Sequence, residues 1–270
     1  MRNYIRWFRQ LSKDDVNIAG GKGASLGELY NANFPVPPGF VITAATYKDF
    51  ITETKIKSKI EAFLSGLDIE DTDDLHRRAK EIQDLFLDAR VPEHMQDQIL
   101  NAYSNLDMRS GQLHNINKKA LELIKAGRDI PFVAVRSSAT AEDKPEASFA
   151  GQMATFLNVK GSKALIRTVQ RCWASLFTAR AIYYREKNNF PHMKVNIAVI
   201  AQKMINAVKS GIAFSVNPVT NNLNEVMINA GWGLGEAIVS GEVNPDEYIV
   251  DKTTSKIIEK KVNQIGRAHV

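Results

Sequence analysis

The chain has 270 residues, 35 basic against 30 acidic, a formal charge of +5, and 44% hydrophobic and 24% charged residues, a balance that predicts a soluble globular protein with one large domain or two lobes. No run approaches 18 consecutive apolar residues, which excludes a spanning helix and a membrane partner, and the start, Met1 to Phe8, has no apolar core of a signal peptide. Lysines are dispersed, and the densest group, Lys55, Lys57 and Lys59, reads as a solvated helix face, so nucleic-acid binding is not expected.

In chain order, Gly20 and Gly21 predict a turn, and Lys22 opens a helix carrying Leu26, Leu29 and Tyr30 on one face. A lysine beside backbone N–H groups at a helix start is either an anion site or an ordinary helix beginning. A Walker A loop is excluded, because Val16 and Gly23 stand where that pattern needs glycine and Ser or Thr. Phe34 to Thr43 predicts a rigid proline turn and a short strand. From Thr46 to about Ala126 the chain is helix-rich, with Ile51, Ile56, Ile60 and Leu64 at rough helical spacing and Leu75, Ala79, Ile82 and Leu85–Phe86 repeating it. Pro92 marks another helix start. Asp107 to Lys119 predicts a surface loop. His76 and His114 are isolated and read as surface residues.

Phe132 to Val135 predicts a buried strand that delivers Arg136 into a polar loop with Ser137, Ser138 and Thr140. Small, flexible residues follow, including Ser148 and Gly151, and Thr155 to Val159 predicts a second strand. Strand, polar loop and strand allow two readings, a hairpin with a polar tip or a clamp over an anion. Ser162 to Asn189 predicts one strong helix with Leu165, Val169, Cys172–Trp173, Leu176, Ala179 and Tyr183 on one side. The single cysteine, Cys172, reads as a small core residue and suits a reducing cytoplasm. Val195 to Ile205 predicts a buried strand. Its end, Gln202, Lys203, Met204 and Ile205, is either plain core or a segment lying along a base. Ser210–Val216 and Glu225–Ala230 predict strands separated by Asn217–Pro218 and Asn221–Asn222 turns, and Thr253–Ser255 the tip of a terminal hairpin.

Arg136 through Asp143 followed by Ala147 to Gln152 resembles the phosphate loop of the phosphoenolpyruvate synthase and pyruvate, phosphate dikinase family. The Gly-Gly-Lys-Gly-Ala at residues 20–24, the Val-Pro-Pro-Gly-Phe at 36–40, the run Arg171 to Arg180, and Gly233 to Glu236 leading into Asn244 to Tyr248 are similar to the same family. The resemblance covers about residues 5–262. It implies an α+β, ATP-grasp-like nucleotide-binding fold, with a helix-rich N-terminal lobe over 1–130 and a mainly antiparallel sheet lobe over 131–264, and a non-native tail is expected over 265–270.

The resemblance further implies that Lys22 and Arg136 meet the phosphates of ATP, accompanied by Mg2+. Ser148 and Gly151 cover the phosphates, Thr155 adds a hydroxyl, and Gln202, Lys203, Met204 and Ile205 hold adenine. The whole enzyme of this family phosphorylates a histidine on a swivelling domain and converts pyruvate to phosphoenolpyruvate, releasing AMP and phosphate; a homodimer is one expected assembly. No phosphohistidine, metal-binding carboxylates or pyruvate site is recognised in these 270 residues, so the chain alone is expected not to turn over. Residues 265–270 read as one frame of a sequencing adapter. The alternatives are a rifampicin phosphotransferase of the same architecture, or a non-catalytic nucleotide-binding module.

Overall fold

The computed structural model describes residues 2–106, 130–140, 143–144, 147–148 and 154–263. The expectations for the loop at 107–119, for His114, for Gly151 and for the 265–270 tail lie outside them. Contacts divide the chain into two compact units, Met1–Met204 and Ile205–Val270.

The first unit runs β1 (Ile5–Trp7), α1 (Val16–Asn31), β2 (Gly39–Ile42), α2 (Ala44–Glu53), α3 (Ile56–Leu64), α4 (Thr72–Asp88), α5 (Glu93–Ser104), β3 (Val133–Ala139), β4 (Asp143–Lys144), β5 (Ala147–Ser148), β6 (Thr155–Val159), α6 (Ser162–Ala174), α7 (Ala179–Lys187) and β7 (Ile197–Lys203). Five strands form an antiparallel sheet in the order β1-β2-β7-β3-β6, and β4 pairs with β5 as a separate two-stranded ladder. The α+β class expected from sequence is present. The expected division at 130/131 does not coincide with the observed one: β7 takes β2 on one side and β3 on the other, so the sheet joins both sides of residue 130.

Strand β7 explains the layering. Residues Ile197 to Ala201 are all 0% exposed. Alternation sends Ile197, Val199 and Ala201 to a large core with α2, α4 and α6, and Ala198 and Ile200 to a smaller core with Ala19, Val41, Phe8 and Leu11. Helix α1 covers that second face through small residues. Ala19, Gly23, Ala24 and Gly27 are buried, while Leu29 and Tyr30 are exposed. Of the expected stripe, Leu26 is half-buried against this smaller core, and Leu29 and Tyr30 lie off the packing face. A Cβ on Gly27 would stand 2.5 Å from the Leu11 Cβ, so the close approach of helix and chain requires glycine there.

Helix α4 follows its sequence pattern closely. The Asp71 carboxylate accepts from the N–H groups of Asp73 and Asp74, and Leu75, Ala79, Ile82 and Phe86 are buried. Two long helical runs are broken instead. Lys55 adopts φ 57 and separates α2 from α3. Ser175–Phe177 forms a 3-10 turn, and the Thr178 hydroxyl accepts from Ala181 N–H to start α7 afresh. Cys172 is 0% exposed, and burial pushes its thiol far above the ordinary range, in keeping with a core residue.

The second unit runs β8 (Lys209–Phe214), β9 (Glu225–Trp232), α8 (Glu236–Val239), β10 (Asp246–Asp251) and β11 (Ile257–Lys261), with an antiparallel sheet ordered β11-β10-β9-β8. The expected hairpin about Thr253–Ser255 is present as the β10–β11 pair. Asn217 fixes the turn before β9: its Oδ1 accepts from Val219 and Thr220, and its Nδ2 donates to Glu225 at 2.7 Å.

Phe86 and His192 probe the packing of the first unit from two sides. Phe86 is 0% exposed and lies 6.1 Å from Tyr47, 6.1 Å from Phe50 and 5.5 Å from Phe177 between ring centroids. Phe86→Ala is expected to cost about 3–5 kcal/mol, read as a lowered denaturant midpoint; a loss below about 1 kcal/mol contradicts this packing. Arg185, 1% exposed, donates from Nε to His192 Nδ1 at 2.8 Å, while His192 Nε2 lies 2.6 Å from Glu186. Burial, then the Arg185 charge, holds His192 below its ordinary 6.5. The unfolded chain thus binds more protons below about 6.5, so this contribution to stability is present above that pH and is lost as pH falls toward the folded-state value. Denaturation midpoints at about pH 7.5 and about pH 5.5 are expected to differ less in His192→Asn, which keeps an acceptor without titrating.

Candidate nucleotide-binding site

Helix α1 is interrupted at Gly20, whose φ of 69 and ψ of 170 are not helical, so a fresh helix begins at Gly21 and Lys22 occupies its second position. Two constraints demand glycine at position 20. The positive φ disfavours any L side chain, and a Cβ there would lie 2.2 Å from the Ser138 hydroxyl and 2.4 Å from the Ser138 carbonyl oxygen. The Ser138 hydroxyl also accepts from the Gly23 N–H at 3.3 Å. The expected glycine turn with Lys22 at a helix start is thus present, pressed onto β3. Lys22 itself is exposed.

Arg136 sits in the middle of β3, not at the mouth of a loop. β3 continues through Ala139, which places Ser137 and Ser138 inside the sheet at 1% and 0% exposure. Their hydroxyls are committed to protein. Ser137 donates to Ala154 O at 3.0 Å, Ser138 accepts from Gly23, and Thr140 donates to Asn196 O at 3.3 Å. Neighbouring strands and α1 thus supply the partners of these three hydroxyls.

Strand alternation groups the remaining residues. Arg136 is directly opposite Thr155 on β6 and Ile200 on β7, and Ile200 packs under α1, so Arg136, Thr155 and Ser138 share the α1 face. Arg136 is half-buried and Thr155 exposed. The Arg136 Nε is shielded from solvent and has no hydrogen-bond partner among the described residues. Arg136 and Ser138 are two positions apart on one strand, about 7 Å, which sets the Lys22 turn beside Arg136.

Gln202 pairs with Ala134, so it lies on the same face four positions from the Ser138 level, about 13 Å along the strand. Its side chain is buried and donates to Pro37 O at 3.2 Å, tying the proline turn to β7. Lys203 pairs with Val133 and turns to the opposite face, and its N–H donates to Pro38 O at 2.8 Å. Met204 N–H donates to Phe132 O at 2.9 Å, and the Met204 sulfur accepts from Asn158 N–H at 2.9 Å. The N–H groups of Lys203 and Met204 are therefore already engaged by the protein. Ile205 is 53% exposed and begins the second unit. Ser148 lies in β5, and Gly151 outside the described residues.

The structure thus brings Lys22, Arg136, Thr155 and Gln202 to one face of the first sheet. Ser138 is the residue whose part sequence reasoning missed. The signal was the strict alternation of Val133, Val135 and Ser137 against Ala134, Arg136 and Ser138, which is a strand pattern running on through the hydroxyl residues.

Comparison with known proteins gives the family. The family described as pyruvate phosphate dikinase, AMP/ATP-binding domain, matches residues 16–269. A probable phosphoenolpyruvate synthase of Methanothermobacter thermautotrophicus is 50% identical over 98% of this chain and 36% of its own length. Another from Methanocaldococcus jannaschii is 50% identical over 96% of this chain and 20% of its own. The phosphoenolpyruvate synthase of Pyrococcus furiosus is 44% identical over 96% of this chain and 34% of its own. The chain spans only about a fifth to a third of these relatives. With the fold, the glycine turn and this match together, the chain belongs to the pyruvate phosphate dikinase AMP/ATP-binding domain family.

Proposed function

We propose that this chain is the ATP-holding part of a phosphoenolpyruvate synthase, which carries a phosphoryl group from ATP to a histidine elsewhere and so toward pyruvate, in the cytoplasm. The observation that carries this reading is the shared face of β3, where the Lys22 turn, Arg136 and Thr155 gather cations and a hydroxyl within a few residues. Phosphoryl transfer asks the protein chiefly to position and neutralise charge. Arg136 suits that role, since a half-buried guanidinium whose Nε has no partner among the described residues offers a directed donor where water screens little. The three relatives above are all phosphoenolpyruvate synthases by name, none a rifampicin phosphotransferase.

Gln202 to Ile205 would border the adenine, with Gln202 acting by holding the Pro37 turn in place and Met204 offering an apolar surface. Ser148 and Gly151 would close over the phosphates. The residues described do not fit Mg2+ by themselves, since among them no group of three or more His, Cys, Asp or Glu stands together. The ion would supply charge neutralisation as a partner of the nucleotide phosphates. Turnover would need the histidine and pyruvate sites of a longer protein.

Calorimetric titration tests this reading. The 270-residue chain is expected to bind ATP saturably, and Arg136→Ala and Lys22→Ala are each expected to weaken binding by about 10- to 150-fold, the equivalent of roughly 1.5–3 kcal/mol for a charge-assisted bond, with the circular dichroism spectrum unchanged. Unchanged affinity in both variants overturns it.

A further inference from the structure

We propose that Ser138 is a positioning residue for the nucleotide phosphates, acting through the turn that carries Lys22. The inference rests on the functional reading above and adds a residue that reading does not contain. A helix N-terminus needs side-chain oxygen for its first N–H groups, and the usual source is the residue just before the first turn. Here that residue is Gly20, which has no side chain to give. The acceptor comes instead from Ser138, 115 residues away in sequence, whose hydroxyl takes the Gly23 N–H at 3.3 Å.

The seat is tight as well as polar. Ser138 is 0% exposed, and its hydroxyl and carbonyl oxygens stand where a Cβ of Gly20 would be, at 2.2 and 2.4 Å. Lys22 lies between the residue that presses on Ser138 and the residue that bonds to it. Its backbone is thereby held from both sides by one strand. That strand also carries Arg136 two positions away on the same face. Ser138 thus sets the separation of the two cations, so that they meet one polyphosphate rather than two independent anions. Alanine at 138 leaves the helix without this acceptor and lets the turn drift relative to Arg136, while the base-binding end near Gln202, about 13 Å along the strand, is untouched.

The test is a double-mutant cycle on the 270-residue chain with two ligands, ATP and adenosine. Ser138→Ala is expected to lower ATP affinity by about 3- to 30-fold, the scale of a lost helix cap, and to leave adenosine affinity unchanged. In a Lys22→Met background the same substitution is expected to cost less than about twofold, because the group it positions is gone. Equal loss for adenosine, or an undiminished loss in the Lys22→Met background, overturns the proposal alone. No effect of Lys22→Met on ATP affinity overturns the proposal, and the functional reading falls with it only when Arg136→Ala is without effect as well. Should Ser138→Ala not fold, amide hydrogen exchange of the wild-type chain decides. The Gly23 N–H is expected to be protected before ATP is added, and exchange at the rate of an open turn overturns the seat.

Discussion

Strand β7 must be buried on both faces at once, and the first unit is arranged to meet that demand. Its residues from Ile197 to Ala201 offer no polar side chain, so each face needs an apolar layer and each edge needs a hydrogen-bonded neighbour. Helices α2, α4 and α6 answer on one side. On the other side only a helix with almost no side chains can come near enough, which is why α1 packs through alanine and glycine. The same thinness that lets α1 close the core also brings the Gly20 turn against Ser138. Packing and the proposed site are therefore one arrangement, not a site added to a finished scaffold.

The location of Arg136 follows from the same demand. β3 is the neighbour that completes one edge of β7, and its alternate residues must go to the two layers. Val133 and Val135 enter the large core, and Arg136 goes to the α1 face, beyond the part that α1 covers. A cation in a sheet interior is costly unless it keeps access to water or an anion. Arg136 keeps partial exposure, with its Nε shielded, which is the state the proposed phosphate contact would draw on.

Much of this was legible in the sequence for local reasons. The unbroken apolar run of β7, the spacing of Leu75, Ala79, Ile82 and Phe86, and the Gly20–Lys22 turn each carry their cause within a few residues. The rest depends on partners far along the chain. Ser137 and Ser138 look like loop residues because small hydroxyls favour turns. They are buried only because Ala154 and Gly23 supply their hydrogen-bond partners. Lys55 breaks an otherwise helical run with a φ of 57 that nothing in its side chain announces. Leu29 and Tyr30 look like a packing stripe because periodicity reveals a face but not whether smaller neighbours offer a closer fit to the sheet. The extent of the first unit is hidden too, since β2 and β7 are joined across about 160 residues.

That long separation has a consequence for how the chain is made. During synthesis β1 and β2 emerge first and can pair with each other at once, but the other edge of β2 has no neighbour until β7 leaves the ribosome. At about 5–20 residues per second the wait is roughly 8–32 s, long against the microseconds in which a hairpin forms. During that interval the Gly39–Ile42 strand presents an apolar, unpaired edge. Slowing translation between residues 42 and 197 lengthens that exposure.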